Sequence, residues 1–435
     1  MIGSTVSLSS VTSPCDTPVV TTGSRRRTLI AACIGNGVEW YDFAIYGALG
    51  TILVPIFFPH DDHLLLSAFA LYGTAFLVRP FGAVFFGRRG DSHGRQRVLV
   101  LVVGLMTAAT AVVGVLPGYA AIGLAAPLAL VGLRVAQGLA AGGELGVAAV
   151  FLIEHAPPRR RGFFGAWHTA TLSFGLASGL LVAGLLARLP GDLSAGMWRV
   201  AFLIALPLGL VGVYLRRHVP ESPRFVRLQR TESLAQVPVR TLWNHHRSGL
   251  VTGFAVIAVG ALTFNTFFVF MPNHLAHTTS LTLPTALLTS VVGLAAAALA
   301  AVLLGGLSDR VGRRPVVLGS IFALVVCALP LNVAAHSGSL LALALAEVVA
   351  GIAVGGMLSV SMLTEMFPAD LRATALGLTA GLATALVGGT APLVDQILFL
   401  ATGSEATPVL YVMAVGCLAL LVARSWPETA FTTLD

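Results

Sequence analysis

Long apolar stretches recur along the whole chain and alternate with short polar connections. A helix that crosses a bilayer needs about 20 mostly apolar residues, and twelve stretches meet this requirement. They lie near residues 28–57, 64–88, 97–116, 119–154, 162–187, 197–215, 249–271, 282–307, 315–335, 339–366, 372–400 and 408–424. The pattern predicts an all-α membrane protein with twelve transmembrane helices.

Composition supports this prediction and removes one alternative. Of the 435 residues, 56% are hydrophobic and only 10% are charged, whereas a soluble domain carries roughly 25% charged residues. The net charge of +7 would suggest a nucleic-acid partner in a soluble protein. Here the basic residues flank apolar stretches, so the lipid bilayer accounts for them and we expect no nucleic-acid partner.

The chain contains no lysine, so every basic residue other than histidine is an arginine. It therefore lacks the lysine of a phosphate-binding P-loop and the lysine of a Schiff-base site. The four cysteines are too scattered for a metal or redox motif, and no H-E-x-x-H spacing occurs. We expect no enzyme activity, no cofactor and no metal site.

The arginines are divided unevenly between the two sets of alternating connections. One set, which includes the chain ends and segment 216–248, carries 22 arginines, and the other carries only Arg188 and Arg199. Because basic residues favour the cytoplasmic side, both termini and the middle segment are predicted to be cytoplasmic. The remaining two, Arg79 and Arg134, lie inside predicted helices.

Two short patterns occur once in each half of the sequence. D-x-x-G-R appears at 91–95 and 309–313, and E-x-x-P-x-x-x-R appears at 154–161 and 365–372. Such a duplication predicts two six-helix bundles with a substrate site between them. The predicted segments are a disordered cytoplasmic tail at 1–24, bundles at 25–217 and 248–425, a cytoplasmic linker at 218–247 and a short cytoplasmic tail at 426–435.

Several longer strings resemble those of one transporter family. They are GNGVEWYDFAIYG at 35–47, RPFGAVFFGRRGD at 79–91, RVAQGLAAGGELG at 134–146, EHAPPRRRGFFGAW at 154–167 and VPESPRF at 219–225. Together they resemble the metabolite:proton symporter family of the major facilitator superfamily, which includes proline/betaine, citrate, oxoglutarate and shikimate carriers. The resemblance covers roughly residues 28–429.

The resemblance implies the major facilitator fold, placed in the plasma or inner membrane. It also implies a small-molecule substrate, protons as the driving ion and no cofactor, and we expect a monomer. Osmosensing members are expected to carry a long coiled-coil tail, which the predicted tail at 426–435 does not provide.

Two acids lie inside the first predicted helix. Glu39 and Asp42 are three residues apart and share a helix face, so both can face one cavity. A charge in hydrocarbon costs about 2.5–3.5 kcal/mol on insertion scales, which leaves a structural pair or proton coupling as explanations. Arg134 is the expected counter-charge, and the resemblance supports that pairing. Protonation of Asp42 would then release Arg134 for a substrate carboxylate or free the helices to rock.

The candidate substrate contacts are residues suited to carboxylate binding or to walling a cavity. They are Arg134, Arg79, Tyr41, Gln137, Trp167, His168 and Phe267. The arginine fork suits a carboxylate, and ring faces attract a quaternary ammonium. Other roles stay open: Arg79 could bind carbonyls freed by Pro80, the aromatics could be packing residues, and His168, which stands where the family has glutamine, could be one too.

Three further acids, Glu144, Glu347 and Asp395, lie in predicted helices. Each could face a cavity or pair laterally with another helix. Near Glu144, glycines recur every four residues at 138, 142 and 146, a spacing that predicts a closely packed helix face.

Charged residues at helix ends could form a conformational switch. Gly87, Asp91 and Arg95 resemble the superfamily's signature loop, and Asp309 and Arg313 resemble its copy. Ion pairs there can join two bundles when one side is closed and separate when it opens. The alternative is that these charges set only the orientation in the membrane.

Three functions compete. The first is a proton-coupled symporter that imports a small osmolyte or organic acid, such as proline, glycine betaine or a mono- or dicarboxylate, by alternating access. The second is a proton-coupled exporter, an antiporter of drugs or metabolites on the same fold. The third, an intramembrane enzyme, lacks any catalytic spacing. Two intramembrane arginines favour a zwitterion or monocarboxylate over a tricarboxylate, and the family strings favour uptake.

Overall fold

The computed structural model describes residues 22–59, 63–93, 95–154, 156–157, 159–189, 196–218, 239–357, 359–368 and 372–431. Within these ranges all regular structure is helical. The helices of the N-terminal half are α1 (Thr22–Phe57), α2 (Leu64–Leu77), α3 (Arg79–His93), α4 (Arg95–Val115), α5 (Tyr119–Ile122), α6 (Ala125–Glu154), α7 (Arg161–Leu186) and α8 (Trp198–Arg217).

The described residues of the C-terminal half form nine further α-helices and two π-helical segments. They are α9 (Val239–Asn265), the π segment Thr266–Phe270, α10 (Met271–Thr278), α11 (Leu283–Val311), α12 (Arg313–Ala335), α13 (Leu340–Gly356), α14 (Ser359–Met366), α15 (Arg372–Ala383), the π segment Thr384–Gly388, α16 (Ala391–Thr402) and α17 (Thr407–Ala423).

Eleven helical stretches in the described residues are long and apolar enough to cross a membrane, from Cys33–Phe57 to Thr374–Thr402. They correspond to the first eleven predicted spans. The twelfth predicted span, near 408–424, forms helix α17, which is apolar but has only 17 residues. The all-helical membrane fold is therefore confirmed.

The exposed surface is apolar and the interior contains charge, the reverse of a water-soluble protein. Phe81 is 70% exposed and Leu341 is 71% exposed, whereas Arg79 and Arg134 are 1% and 0% exposed. An exposed apolar belt of this kind is stable only against lipid or another protein. The buried charges are therefore the first candidates for a functional site.

Three of the spans are interrupted next to a proline, and the tenth span also breaks between α13 and α14. The second span breaks between α2 and α3, where Pro80 follows Arg79 and the amides of Phe81 and Gly82 bond to the Val78 carbonyl at 3.2 Å. The other two contain the π segments, each followed within a few residues by a proline, Pro272 or Pro392. Prolines and π-bulges are the usual causes of such irregularities, which occur often at functional sites.

The two halves of the chain pack together along α7 and α11. A Cβ atom added at Gly305 would lie 2.7 Å from the Gly162 carbonyl oxygen and 2.5 Å from the Ala166 Cβ. Only glycine permits this backbone approach. Elsewhere, the Asn273 side chain donates to the Gly47 carbonyl at 2.9 Å, so a second contact between the halves lies on α1 and α10.

Candidate functional site

The Asp42 carboxylate of α1 is held by side chains from two other helices of the N-terminal half. Its Oδ1 accepts hydrogen bonds from Thr110 Oγ1 in α4 at 2.6 Å and from Gln137 Nε2 in α6 at 2.8 Å. Its Oδ2 lies 3.6 Å from Arg134 Nη1 in α6 and has no hydrogen-bond partner among the described residues. Asp42 is 1% exposed, so the group is closed to solvent.

Arg134 is fixed by groups other than Asp42. Its Nη2 donates to the Tyr72 carbonyl at 3.1 Å, and its Nη1 donates to Gln137 Oε1 at 3.2 Å. Its guanidinium carbon lies 3.8 Å from the centre of the Tyr46 ring, within cation–π distance. The expected pairing with Asp42 is present, but 3.6 Å is too long for a hydrogen bond. The arginine therefore keeps its place without that carboxylate.

Glu39 pairs with a different arginine. Its Oε1 accepts a hydrogen bond from Arg79 Nη2 at 2.8 Å, and both side chains are buried. The Arg79 guanidinium carbon lies 4.4 Å from the Phe76 ring centre and 4.5 Å from that of Phe43. Glu39 and Asp42 therefore each face an arginine of their own.

Glycines in α6 bring the Arg79 backbone close to that helix. A Cβ atom added at Gly142 would lie 2.0 Å from the Arg79 carbonyl oxygen, and one at Gly138 would lie 2.1 Å from the Ala75 carbonyl oxygen. The predicted close-packed face is confirmed at these two positions, whereas the side of α6 at Gly146 lies outside the described residues.

Glu144 forms a third buried pair, with Arg216 near the end of α8. Of the two roles left open for Glu144, the structure shows lateral pairing. Sequence analysis missed Arg216 because it precedes Arg217 at a span end, where arginine ordinarily sets topology. It also missed Thr110, since one threonine in an apolar helix carries no signal of its own.

The other candidate contacts are dispersed. The Tyr41 hydroxyl donates to the Ala201 carbonyl of α8 at 2.8 Å. Trp167 is 40% exposed, with its ring centre 6.3 Å from that of Phe163. His168 and Phe267 are buried, Phe267 within the first π segment. Of the predicted contacts, only Gln137 and Arg134 join Asp42.

Among the described residues, two buried acids of the C-terminal half have no arginine partner. Glu347 Oε1 accepts from Ser290 Oγ at 2.8 Å, and Asp395 Oδ2 accepts from Thr266 Oγ1 at 2.7 Å. Among the described residues neither acid forms an ion pair, and the second oxygen of each has no hydrogen-bond partner. These acids therefore differ in kind from Glu39 and Asp42.

Aromatic rings close the space between the halves beside Arg79. The Trp40 ring centre is 5.9 Å from that of Phe264 in the C-terminal half, and within the N-terminal half the Phe43 ring centre is 4.6 Å from that of Phe76. The Tyr72 hydroxyl also donates to Asn265 Oδ1 at 2.7 Å across the same boundary. Both acid pairs are therefore buried away from solvent in this arrangement.

The pair Asp309 and Arg313 connects the two halves at one end of the structure. The Asp309 carboxylate accepts hydrogen bonds from the backbone amides of Gly162 and Phe163, at 2.8 and 2.9 Å, in the first turn of α7. Arg313 Nη2 lies 2.8 Å from Asp309 and 3.0 Å from Glu365. A carboxylate at a helix N-terminus is stabilised by the unpaired amides and the helix dipole, so this contact holds α7 against α11.

A profile of the Major Facilitator Superfamily matches residues 32–392 and 253–431 of this chain. The chain belongs to the major facilitator superfamily. The resemblance found in the sequence is thereby confirmed, and with it the assignment as a multi-pass membrane transporter without enzyme activity.

Superfamily members with curated names cover nearly the whole chain. The glycine betaine/proline/ectoine/pipecolic acid transporter OusA of Dickeya dadantii (strain 3937) is 32% identical over 439 residues, covering 95% of this chain and 86% of that protein. The proline/betaine transporter of Escherichia coli (strain K12) is 32% identical with the same coverage. The alpha-ketoglutarate permease of that strain is 33% identical over 423 residues, covering 94% of this chain and 95% of its own.

Solved structures of the superfamily share the fold. The partially occluded inward-open xylose transporter XylE of E. coli has a TM-score of 0.75 at 19% identity, covering 95% of this chain and 100% of that chain. XylE bound to 6-bromo-6-deoxy-D-glucose, titled as a proton:xylose symporter, has a TM-score of 0.76 and also 19% identity. At this identity the likeness establishes the architecture alone.

The superfamily's signature loop is only partly described. Gly87 and Asp91 belong to α3 and Arg95 begins α4, but the side chains of Asp91 and Arg95 lie outside the described residues. Residues 219–225, which carry another of the family strings, lie entirely outside the described residues. The copy of the signature at Asp309 and Arg313 is described in full.

Proposed function

We propose that the chain is a proton-coupled symporter that imports a small osmolyte or organic acid by alternating access. The names of its relatives, which include proline/betaine transporters and an alpha-ketoglutarate permease, support this substrate class. The observation that carries the proton coupling is the Asp42 carboxylate, buried beside Arg134 with one oxygen unbonded.

Asp42 Oδ2 is the atom on which a proton would sit. Its Oδ1 is already occupied by Thr110 and Gln137, whereas Oδ2 faces Arg134 at 3.6 Å. Protonation of Oδ2 removes the attraction to Arg134, which the Tyr72 carbonyl continues to hold. The guanidinium then attracts a substrate carboxylate. Each proton that crosses with substrate contributes about 2.3 kcal/mol per 100 mV of membrane potential.

The charge balance of the site favours a zwitterion. Arg79 and Arg134 are each matched by one acid, so no surplus positive charge is available for a di- or trianion. A substrate with one carboxylate and one ammonium adds no net charge, and its cation suits ring faces such as those of Trp40 and Phe264. Of the sequence candidates, Arg79, Tyr41, Gln137, Trp167, His168 and Phe267 remain proposed contacts, to be reached as the halves separate.

For the architecture we propose twelve spans, with α17 as the twelfth. The proposed bundles lie at 25–217 and 248–425 and are joined by a cytoplasmic linker at 218–247. The polar, arginine-rich composition of this middle segment supports the division. The arginine asymmetry supports cytoplasmic termini in the plasma or inner membrane. A monomer suffices, because the charged site is built within one chain.

The helix-end charges serve as the proposed conformational switch. Asp309 and Arg313 hold the start of α7 in the closed arrangement, and Gly87, Asp91 and Arg95 are their counterparts in the repeat. Separation of Asp309 from the α7 amides would open this end of the transporter.

Uptake into proteoliposomes tests the proposal. Purified protein is given labelled proline, glycine betaine and oxoglutarate, with and without an inward proton gradient. We expect gradient-driven accumulation of a zwitterion, and Asp42→Asn to abolish accumulation while counterflow exchange continues. Glu347→Gln is the matched control and should accumulate normally.

Three outcomes would contradict the proposal. Uptake that reaches the same level without a gradient would indicate a passive carrier. Gradient-driven efflux of the same solutes would indicate an exporter. Undiminished accumulation by Asp42→Asn would move the proton site to another residue.

A further inference from the structure

Three potential metal ligands meet in the C-terminal half, apart from the acid–arginine pairs. His274 belongs to α10, His336 caps the C-terminus of α12, and Glu405 lies in the turn between α16 and α17. Their nearest ligand atoms all lie within 4.8 Å of one another. The residues are far apart in the sequence, so no spacing motif could reveal them.

Both imidazole rings converge on the same carboxylate oxygen. His274 Nε2 lies 2.5 Å from Glu405 Oε2, and His336 Nε2 lies 3.2 Å from that atom. Two nitrogen donors and one carboxylate that meet at a point form the kind of ligand set that binds zinc in proteins.

The partner of His336 Nδ1 decides which ring nitrogen of this histidine carries the hydrogen. His336 Nδ1 lies 2.9 Å from the Asn332 carbonyl oxygen, which can only accept, so Nδ1 carries the hydrogen. In the neutral ring Nε2 is then a bare lone pair, pointed at a carboxylate oxygen. Two acceptors repel unless the ring is protonated or a cation lies between them. An imidazole whose Nδ1 is bound to a carbonyl and whose Nε2 is free is the usual arrangement of a metal-binding histidine.

His274 is held rigidly, whereas Glu405 is open to the surroundings. The His274 side chain is 1% exposed, stacked on Phe270 at 4.8 Å between ring centres and packed against the edge of Phe399 at 4.5 Å. Its Nδ1 has no hydrogen-bond partner among the described residues. The Glu405 side chain is 36% exposed, which supplies an entry path and a free coordination position.

We propose that His274, His336 and Glu405 form a binding site for a divalent transition-metal cation of the zinc type. Calcium and magnesium prefer all-oxygen ligand sets, so two imidazoles select against them. The site joins the ends of three spans of one half. Because α10 follows the Thr266–Phe270 segment and carries Asn273, which contacts Gly47 of the other half, a bound cation restrains movement between the halves and slows transport.

Zinc binding to the full-length, untagged protein in detergent tests the site directly. Competition with a chromophoric chelator should show one zinc per chain and no displacement by magnesium. His336→Ala and Glu405→Gln should each weaken binding at least tenfold. His277→Ala, an exposed histidine of α10 outside the cluster, is the matched control and should bind as the parent does. Zinc should raise the melting temperature of the parent but not of His336→Ala.

The outcomes separate this proposal from the proposed function. Absence of zinc binding, or equal binding by the parent and both cluster variants, overturns the site and leaves His336 as an imidazolium paired with Glu405. The binding assay needs no transport, so it stands if symport fails. In proteoliposomes, external zinc should slow uptake by the parent and not by Glu405→Gln; equal inhibition of both would overturn the restraint on transport.

Discussion

The two halves of the chain treat buried acids differently. In the N-terminal half, Glu39, Asp42 and Glu144 each face an arginine. In the C-terminal half, Glu347 of α13 and Asp395 of α16 have, within the described part of the chain, only the hydroxyls of serine and threonine as side-chain partners. In the described part of that half, the arginine that pairs with acids is Arg313. It contacts Asp309 and Glu365 and lies at a helix end.

The difference indicates where a proton can be exchanged productively. An acid beside a guanidinium is stable with its charge, and protonation changes the force on a neighbouring helix. An acid buried beside a hydroxyl alone is tolerated chiefly in its neutral form. Loss or gain of a proton during transport is therefore expected in the N-terminal half, while the C-terminal half supplies a neutral surface and the helix-end contact.

The sharpest test of this comparison removes one member of an N-terminal pair. Arg79→Gln leaves Glu39 buried without a cation, and breaking such a pair costs about 3–5 kcal/mol of unfolding free energy. Glu39→Gln with Arg79→Gln should recover most of that loss. Denaturant unfolding in mixed micelles measures both, with exposed Arg188→Gln as the control. A double variant no more stable than Arg79→Gln would show that the pair is not coupled.

The next effect concerns the close packing that sets the position of Arg79. Gly142→Ala places a Cβ atom 2.0 Å from the Arg79 carbonyl oxygen, and overpacking of this kind costs about 1–3 kcal/mol. Gly132→Ala in the same helix meets nothing within 4 Å and should be neutral or slightly stabilising. Thermal unfolding of the two variants compares them. Equal melting temperatures would argue against the packing of α6 on α3.

A smaller effect is expected from the hydroxyl that serves Asp395. Thr266→Val removes its described hydrogen bond, a net loss of about 0.5–1.5 kcal/mol. Thr74→Val is the matched control, since that exposed hydroxyl bonds only to the Ala70 carbonyl of its own helix. Unfolding in detergent distinguishes them. A loss of several kcal/mol would mean that Asp395 is charged, which contradicts the comparison.

The smallest effect is expected where the C-terminal acids become amides. Glu347→Gln and Asp395→Asn keep an oxygen for Ser290 and Thr266, so each should lie within about 0.5 kcal/mol of the parent. Gradient-driven accumulation should also persist in Asp395→Asn. Stability and proteoliposome uptake measure the two quantities; a variant that accumulates nothing would place proton exchange in both halves.

Sequence predicted much of this molecule, and the misses share one cause. The first eleven spans, the intramembrane positions of Arg79 and Arg134, the pairing of Asp42 with Arg134 and the glycine face of α6 were all evident. The pairing of Glu39 with Arg79 was not foreseen, and Thr110 and Arg216 were overlooked. Glu39 and Asp42 share a helix face, but that face is wide enough to meet two neighbouring helices.

Hydropathy and arginine placement are local properties, so the sequence by itself determined that this chain is a helical membrane protein with charges buried inside. Which charge meets which is decided by helix adjacency, backbone approach at glycines and the turns at α2–α3 and the π segments. Only the tertiary structure decided that each of the first two acids has its own arginine, and that two histidines and a glutamate from separate helix ends meet. Such contacts depend on distances of a few ångströms between segments far apart in the chain, to which hydropathy and spacing along the sequence are not sensitive.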